Sequence, residues 1–349
     1  MFDTAVSAGF AIGVAFGAIG LLSGFCLLSS LRDWWSANDG RRIRSYAVAL
    51  AVAIAGTQFI AGAGIVEIGK SLYLQPAFSA PLIFTGGLLF GFGMVLANGC
   101  ASRALVLLGN GNLRSLVVLV IIGIAAQMTL KGLLAPSRLA IIQWTQITPA
   151  IVSAPALLAS MGLGDTAARI TATLIGSGAL FAFAFSDARF RRSPAQIAAG
   201  LAVGVLVTAG WLTTGWLGAD EFNPIPVTSL TFIAPVADTL QYAMLSTGLT
   251  LNFGIAIVLG VLTGSVATSL LTGRFRIEGY ASADHMMRSM SGAALMGIGG
   301  AMAYGCSVGQ GLTGLSTLSL SSVIAVAGIL TGAAVAMRRR VWASALVTQ

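Results

Sequence analysis

The chain has 349 residues, of which 56% are hydrophobic and 9% charged, and its mean hydropathy is +0.91. A soluble domain carries roughly 25% charged residues to cover its surface, so an ordinary cytosolic enzyme, a disordered chain and a nucleic-acid binder are all excluded. Nineteen basic against 11 acidic residues give a net charge of +8, which in so apolar a chain reads as membrane topology before it reads as any partner.

A membrane span needs about 20 apolar residues, and an arginine cluster or a proline marks its end. On that basis nine spans are predicted, over 5–31, 46–68, 81–108, 113–134, 166–186, 195–218, 249–272, 289–315 and 319–336. The first run is too long for a signal peptide and has no basic stretch before it, so it is expected to stay as a helix. Two connections, 135–165 and 219–248, hold Pro136, Pro149, Pro155 and Pro224, Pro226, Pro235 among apolar residues. Short re-entrant or interfacial helices are expected there. The fold class is all-α and polytopic.

Arginines orient the chain. Arg32, Arg41, Arg42, Arg44, then Arg189, Arg191, Arg192, then Arg274, Arg276, Arg288 and the tail Arg338–Arg340 all fall on one side of nine crossings. The positive-inside rule makes that side cytoplasmic, with the N-terminus outside. The other side has only Lys70, Lys131, Arg138 and Arg169. His285, the single histidine, sits in a charged inner stretch and reads as a solvated loop residue.

Residues 86–100 read GGLLFGFGMVLANGC and residues 292–306 read GAALMGIGGAMAYGC, with seven identities at one spacing. A weaker match joins 9–18 to 200–209. The first Gly-Cys span runs inward and the second outward, so the repeat is inverted: a first half over 5–134, a connection over 135–194 and a second half over 195–336. Inverted repeats place two broken helices around a substrate site near the bilayer midplane. The alternative is a glycine packing seam with no break. In the broken form each Gly-Cys ends one half-helix, and the next aims free N–H groups at the gap, ready for an anion.

The three cysteines, Cys26, Cys100 and Cys306, form no CxxC pair. A disulfide framework, a zinc site and any other metal or cofactor centre are not expected. A buried neutral thiol is a weak, soft, polarizable donor, suited to a sulfur-containing anion more than to phosphate or sulfate. Asn98, Gly99, Gly305, Ser307 and Gln310 flank the breaks and complete the candidate substrate path. Asn98 and Gln310 read either as hydrogen-bond donors to an anion or as helix–helix contacts. Arg103 is expected to extend toward the inner headgroups, the alternative being that it attracts the anion.

The motifs Asn98-Gly99-Cys100 and Tyr304-Gly305-Cys306, with Gly24-Phe25-Cys26 and the stretch from Phe222-Asn223-Pro224 through Ser229-Leu230-Thr231-Phe232, resemble the YeeE/YedE family of sulfur-compound permeases, and three cysteines so arranged resemble its thiosulfate-importing branch. The likeness covers almost the whole chain. It implies a bacterial inner-membrane protein of nine spans plus short helices, in which thiosulfate ion passes a narrow path lined by three thiols at Cys26, Cys100 and Cys306. Some relatives work with a small cytosolic TusA-like sulfur-carrier protein, and others are linked to selenium or other sulfur species. A membrane thiol oxidoreductase is the competing class, and it lacks the paired dithiol it needs. An inert structural subunit does not account for the inverted repeat. Transport, not catalysis, is the expected activity; with few intramembrane carboxylates, passive flow, ion coupling and metabolic pull all stay open.

Overall fold

The computed structural model describes residues 4–219 and 225–338. Met1–Asp3, the stretch from Asp220 to Pro224 and the chain from Arg339 onward lie outside the described residues. With them go the expectations placed on Phe222-Asn223-Pro224 and on the last two arginines of the tail.

Among the described residues the chain is helical, with only isolated β-bridges. In order the helices are α1 (Thr4–Ser23), α2 (Leu27–Ala37), α3 (Arg41–Gly62), α4 (Ala80–Leu96), α5 (Ala101–Gly109), α6 (Leu113–Leu130), α7 (Ala135–Thr145), α8 (Ala154–Ser160), α9 (Asp165–Phe185), α10 (Ala188–Arg191), α11 (Pro194–Leu212), α12 (Ile233–Met244), α13 (Phe253–Leu271), α14 (Ala283–Met302) and α15 (Leu320–Arg338). Their starts are written in the sequence. Ser79, Asn112, Asn252 and Ser282 each accept a backbone N–H from three residues ahead, at 3.0–3.3 Å, satisfying donors that a helix start leaves free. Pro81 and Pro194 sit in first turns, where the missing N–H costs nothing.

Among the described residues eight helical units are long and apolar enough to cross a membrane. The remaining predicted span, 289–315, begins earlier, at Ala283, and its helix stops at Met302. Asp284, His285 and Arg288 in its first turns lower its hydropathy, yet it lies lengthwise against α4 and α6. The two proline-bearing connections hold the short helices α7, α8 and α12, as their apolar character predicts.

Large apolar side chains such as Leu174 and Ile175 on α9 and Leu116, Val120 and Ile124 on α6 are exposed on the outside of the bundle. That surface suits lipid and would aggregate in water.

The two matching segments pack antiparallel. A β-carbon built on Gly86 would meet Ala303 N at 2.7 Å and Gly299 O at 2.8 Å, and one on Gly93 would meet Gly292 O at 2.5 Å. The relation is returned from the other side, since one on Gly292 would meet Gly93 O at 2.7 Å and one on Gly299 would meet Gly86 O at 2.5 Å. Gly86 is the sequence counterpart of Gly292, and Gly93 of Gly299, so the contact is self-complementary about a two-fold axis. The other main pairs obey the same exchange. Helix α1 packs on α13 while its counterpart α11 packs on α3, and α4 packs on α15 while α14 packs on α6.

Candidate functional site

Both expected breaks are present and share one geometry. Helix α4 ends, Asn98 takes a left-handed φ of 54°, and Gly99 N donates back to Met94 O at 3.0 Å. Helix α14 ends, Tyr304 takes a φ of 56°, and Gly305 N donates back to Gly300 O at 2.9 Å. This six-to-one closure ends a helix in a single turn. It usually employs glycine in the left-handed position, whereas here Asn98 and Tyr304 bear it. Cys100 follows as the N-cap of α5, and Cys306 leads into a π-helical turn over Gly309–Gly314.

A third break was not expected. Helix α1 ends at Ser23, Gly24 adopts a φ of 66°, and Cys26 is the N-cap of α2. All three cysteines therefore stand two residues after a left-handed residue that terminates a helix. By spacing alone the counterpart of Cys26 in the second half falls near Leu217, and the structure corrects that. Helix α12 occupies the place of α2, and its N-cap is Phe232. The Cys26 thiol faces Cys100, and correspondingly the Phe232 amide reaches the Cys306 sulfur.

The three thiols are buried, at 4%, 1% and 1% exposure, and belong to one core. Cys100 Sγ lies 3.2 Å from Ser102 Oγ, and Gly309 N donates to Cys306 Sγ at 3.3 Å. Tyr46 lies within electrostatic reach of all three. Its ring stacks on Phe25 at 5.5 Å, and its hydroxyl donates to Ser307 O at 2.6 Å. Ser307 Oγ lies toward the Cys100 sulfur and is buried without a well-formed hydrogen bond. Gln310 commits its amide N–H to Ala303 O at 2.6 Å, bracing the end of α14, and its Oε1 is buried without a partner. A buried polar atom left unpaired costs about 1–3 kcal/mol, and Gln310 Oε1 is such an atom.

Two cavities approach this cluster from opposite faces. A cavity of about 500 Å³ has Tyr73, Thr228, Thr231, Tyr304 and Gly305 at its depth and Lys70 and Gln75 near its mouth. A cavity of about 70 Å³ is lined by Asn98, Gly99, Arg103, Asn112, Arg114 and His285. Helix α6 runs from one to the other, Ser115 bordering the small cavity and Leu130 the large one, a helix of about 27 Å. Tyr304-Gly305 thus borders one cavity and its counterpart Asn98-Gly99 the other, with the thiols between. His285 is no free loop residue: it opens α14 and meets the Tyr280 ring edge-on at 5.6 Å.

Sequence reasoning missed Tyr46 and Tyr73 and had Phe232 only as part of a family-like stretch. A tyrosine within an apolar span, whose hydroxyl must find a partner, was the available signal for Tyr46.

The sequence profile of a family described as sulphur transport matches residues 22–335. The chain belongs to that family. It is 23% identical to the thiosulfate transporter TsuA of Escherichia coli (strain K12) over 322 residues, 89% of this chain and 88% of that one. It is 25% identical to the thiosulfate transporter TsuA of Spirochaeta thermophila over 334 residues, 91% of this chain and 93% of that one. The molecule is accordingly a sulfur-compound transporter rather than an enzyme, and the YeeE/YedE resemblance stands.

Proposed function

We propose that this transporter imports thiosulfate across the bacterial inner membrane, between the two inverted halves. The large cavity receives the ion on the periplasmic side. The ion then passes Cys306, then the facing Cys100 and Cys26, and leaves through the small cavity into the cytoplasm. The observation that carries this reading is the row of three buried thiols, each set at a helix break, lying between cavities that open on opposite faces.

Charge arithmetic supports several weak sites. Taking an ion from water into a protein interior costs several kcal/mol even after relaxation. A hydrogen bond to a charged group returns roughly 1.5–3 kcal/mol. Thiols, the Ser307 hydroxyl and the N–H groups at the start of α5 supply such donors in succession, so no single step holds the ion tightly enough to trap it. Gly99 and Gly305 let the turns close, Asn98 and Tyr304 border the two cavities, and Gln310 holds the second turn in shape. The terminal sulfur of thiosulfate accepts weak hydrogen bonds from thiols and sheds water more readily than a sulfate oxygen.

The test is accumulation of sulfur-labelled thiosulfate by cells with and without the protein, with sulfate and selenite as competitors. Thiosulfate uptake that depends on the protein, barely slowed by a hundredfold excess of sulfate, is the expected result. Equal uptake of thiosulfate and sulfate would sink the role given to the thiols. Strong competition by selenite would shift the substrate to another chalcogen anion.

A further inference from the structure

The two halves of the path differ in charge at one repeat-matched position. Arg103 stands three residues after Cys100 and lines the small cavity. Three residues after Cys306, at the matching place beside the large cavity, stands Gly309. The side-chain stem of Arg103 folds over the break: a β-carbon on Gly99 would lie 3.4 Å from Arg103 Cγ. Its charge acts on the Cys26 thiol. The stem of Arg103 therefore lies at the break and its side chain lines the small cavity.

The neighbouring arginines are neutralised. Arg42 pairs with Asp33 at 2.9 Å, Arg41 with Asp39 at 2.7 Å, Arg44 with Asp187 at 3.6 Å, and Arg114 with Glu278 at 2.9 Å. Among the described residues no carboxylate pairs with Arg103. A half-buried guanidinium facing a polar cavity without a counter-ion is short of an anion, because its planar fork of N–H groups matches an oxyanion two bonds at a time.

We propose that the small cavity is an anion site for a divalent sulfur oxyanion, held by Arg103 with the Asn98 amide beside it. It is the last station of the path before release on the cytoplasmic face. This rests on the transport reading and adds a direction to it. The inverted repeat alone makes a path equivalent from both ends, and the Arg103–Gly309 difference makes the two ends unequal. The ion then binds more firmly at the inner end than at the outer one, and cytoplasmic thiosulfate occupies that site and slows further entry.

The experiment uses the full chain in proteoliposomes of known orientation, loaded inside or outside with thiosulfate. In the wild type, thiosulfate on the cytoplasmic face inhibits uptake. With Arg103→Gln, the concentration for half-inhibition from that face rises about tenfold or more, the loss expected for one charge-assisted contact. The half-saturating concentration on the opposite face changes less than about threefold, and Arg103→Lys falls in between. Normal elution in size-exclusion chromatography checks that each variant is folded. Wild-type-like inhibition in Arg103→Gln, or an equal loss from both faces, overturns the inference while leaving thiosulfate transport intact. A wild type that carries no thiosulfate overturns the functional reading instead. The inference is then judged on purified protein by the rise in melting temperature that thiosulfate and sulfate produce: a rise lost in Arg103→Gln supports it, and a rise kept in that variant, or none in the wild type, ends it.

Discussion

A cysteine is a poor helix cap: Cys26 and Cys100 accept no capping hydrogen bond at the starts of α2 and α5, and Cys306 accepts only an N–H···S contact from Gly309 at 3.3 Å before the π turn. Serine, threonine, asparagine or aspartate would stabilise those starts better. Three such choices in one buried cluster are what the proposed thiol-lined path calls for. Replacing Cys306 by Ala removes one small buried group and should cost about 1–2 kcal/mol of stability, with at least a tenfold drop in thiosulfate uptake. Cys306→Ser restores a donor but not the soft sulfur, and should recover part of the uptake. Transport and melting temperature measured together check this, and full uptake by both variants would return Cys306 to mere packing. Cys100 and Cys306 were legible because a repeat set them in register. The facing of Cys26 and Cys100 was not, since it joins a break the spacing did not announce to a helix start 74 positions away.

At the scale of the element, hydropathy sufficed to place the spans, because lipid imposes a length and forbids unpaired backbone. It misplaced a boundary where a span carries charge, at the start of α14, which begins at Ala283 rather than 289. Breaks inside an apolar run are also hidden from it, since a left-handed Asn98 or Tyr304 leaves no trace in composition. What glycine pattern did reveal is the antiparallel seam of α4 and α14. A methyl on Gly93 or Gly299 would fall within 2.9–2.6 Å of the partner or neighbouring backbone at Met296 N and Phe90 N, and backbone cannot turn aside as a side chain can. Gly93→Ala and Gly299→Ala should each destabilise the detergent-solubilised protein by about 1–3 kcal/mol, the cost of overpacking. Gly178→Ala on α9 has open space around it and should be neutral or gain up to about 1 kcal/mol from helix propensity. A melting curve for Gly93→Ala that matches Gly178→Ala would mean the seam is looser than its geometry.

For the whole molecule, two chain halves of opposite sense share one interface, and their charges tell the halves apart. Arg44 holds the carbonyl of Phe183 and the Ser186 hydroxyl at 2.8 Å, tying the start of α3 to the end of α9. Arg114 and Asn112 both hold Glu278 at 2.9 Å, tying the start of α6 to the chain before α14. These clamps gather on the face that carries the described arginine clusters. The opposite face has the sparser pairs Lys70–Glu67 and Lys131–Asp238, at 2.5 and 3.2 Å. Lysine and arginine near span ends resist translocation, so the positive-inside rule predicts that the arginine-rich face is cytoplasmic. In that predicted orientation the small cavity lies inside and the large one outside, which suits the proposed import. An inside-negative potential of 100 mV opposes entry of a dianion by about 5 kcal/mol over the full crossing, and a basic inner face offsets part of that opposition near the exit. Nine crossings then put the two ends of the chain on opposite sides. Alkaline phosphatase fused before Thr4 should be active, and a fluorescent protein fused after the last residue should glow. The swapped pair of fusions, alkaline phosphatase at the C-terminus and the fluorescent protein at the N-terminus, should both stay silent. Signals placing both ends on one side would break the odd number of crossings and, with it, the assignment of entry and exit to the two cavities.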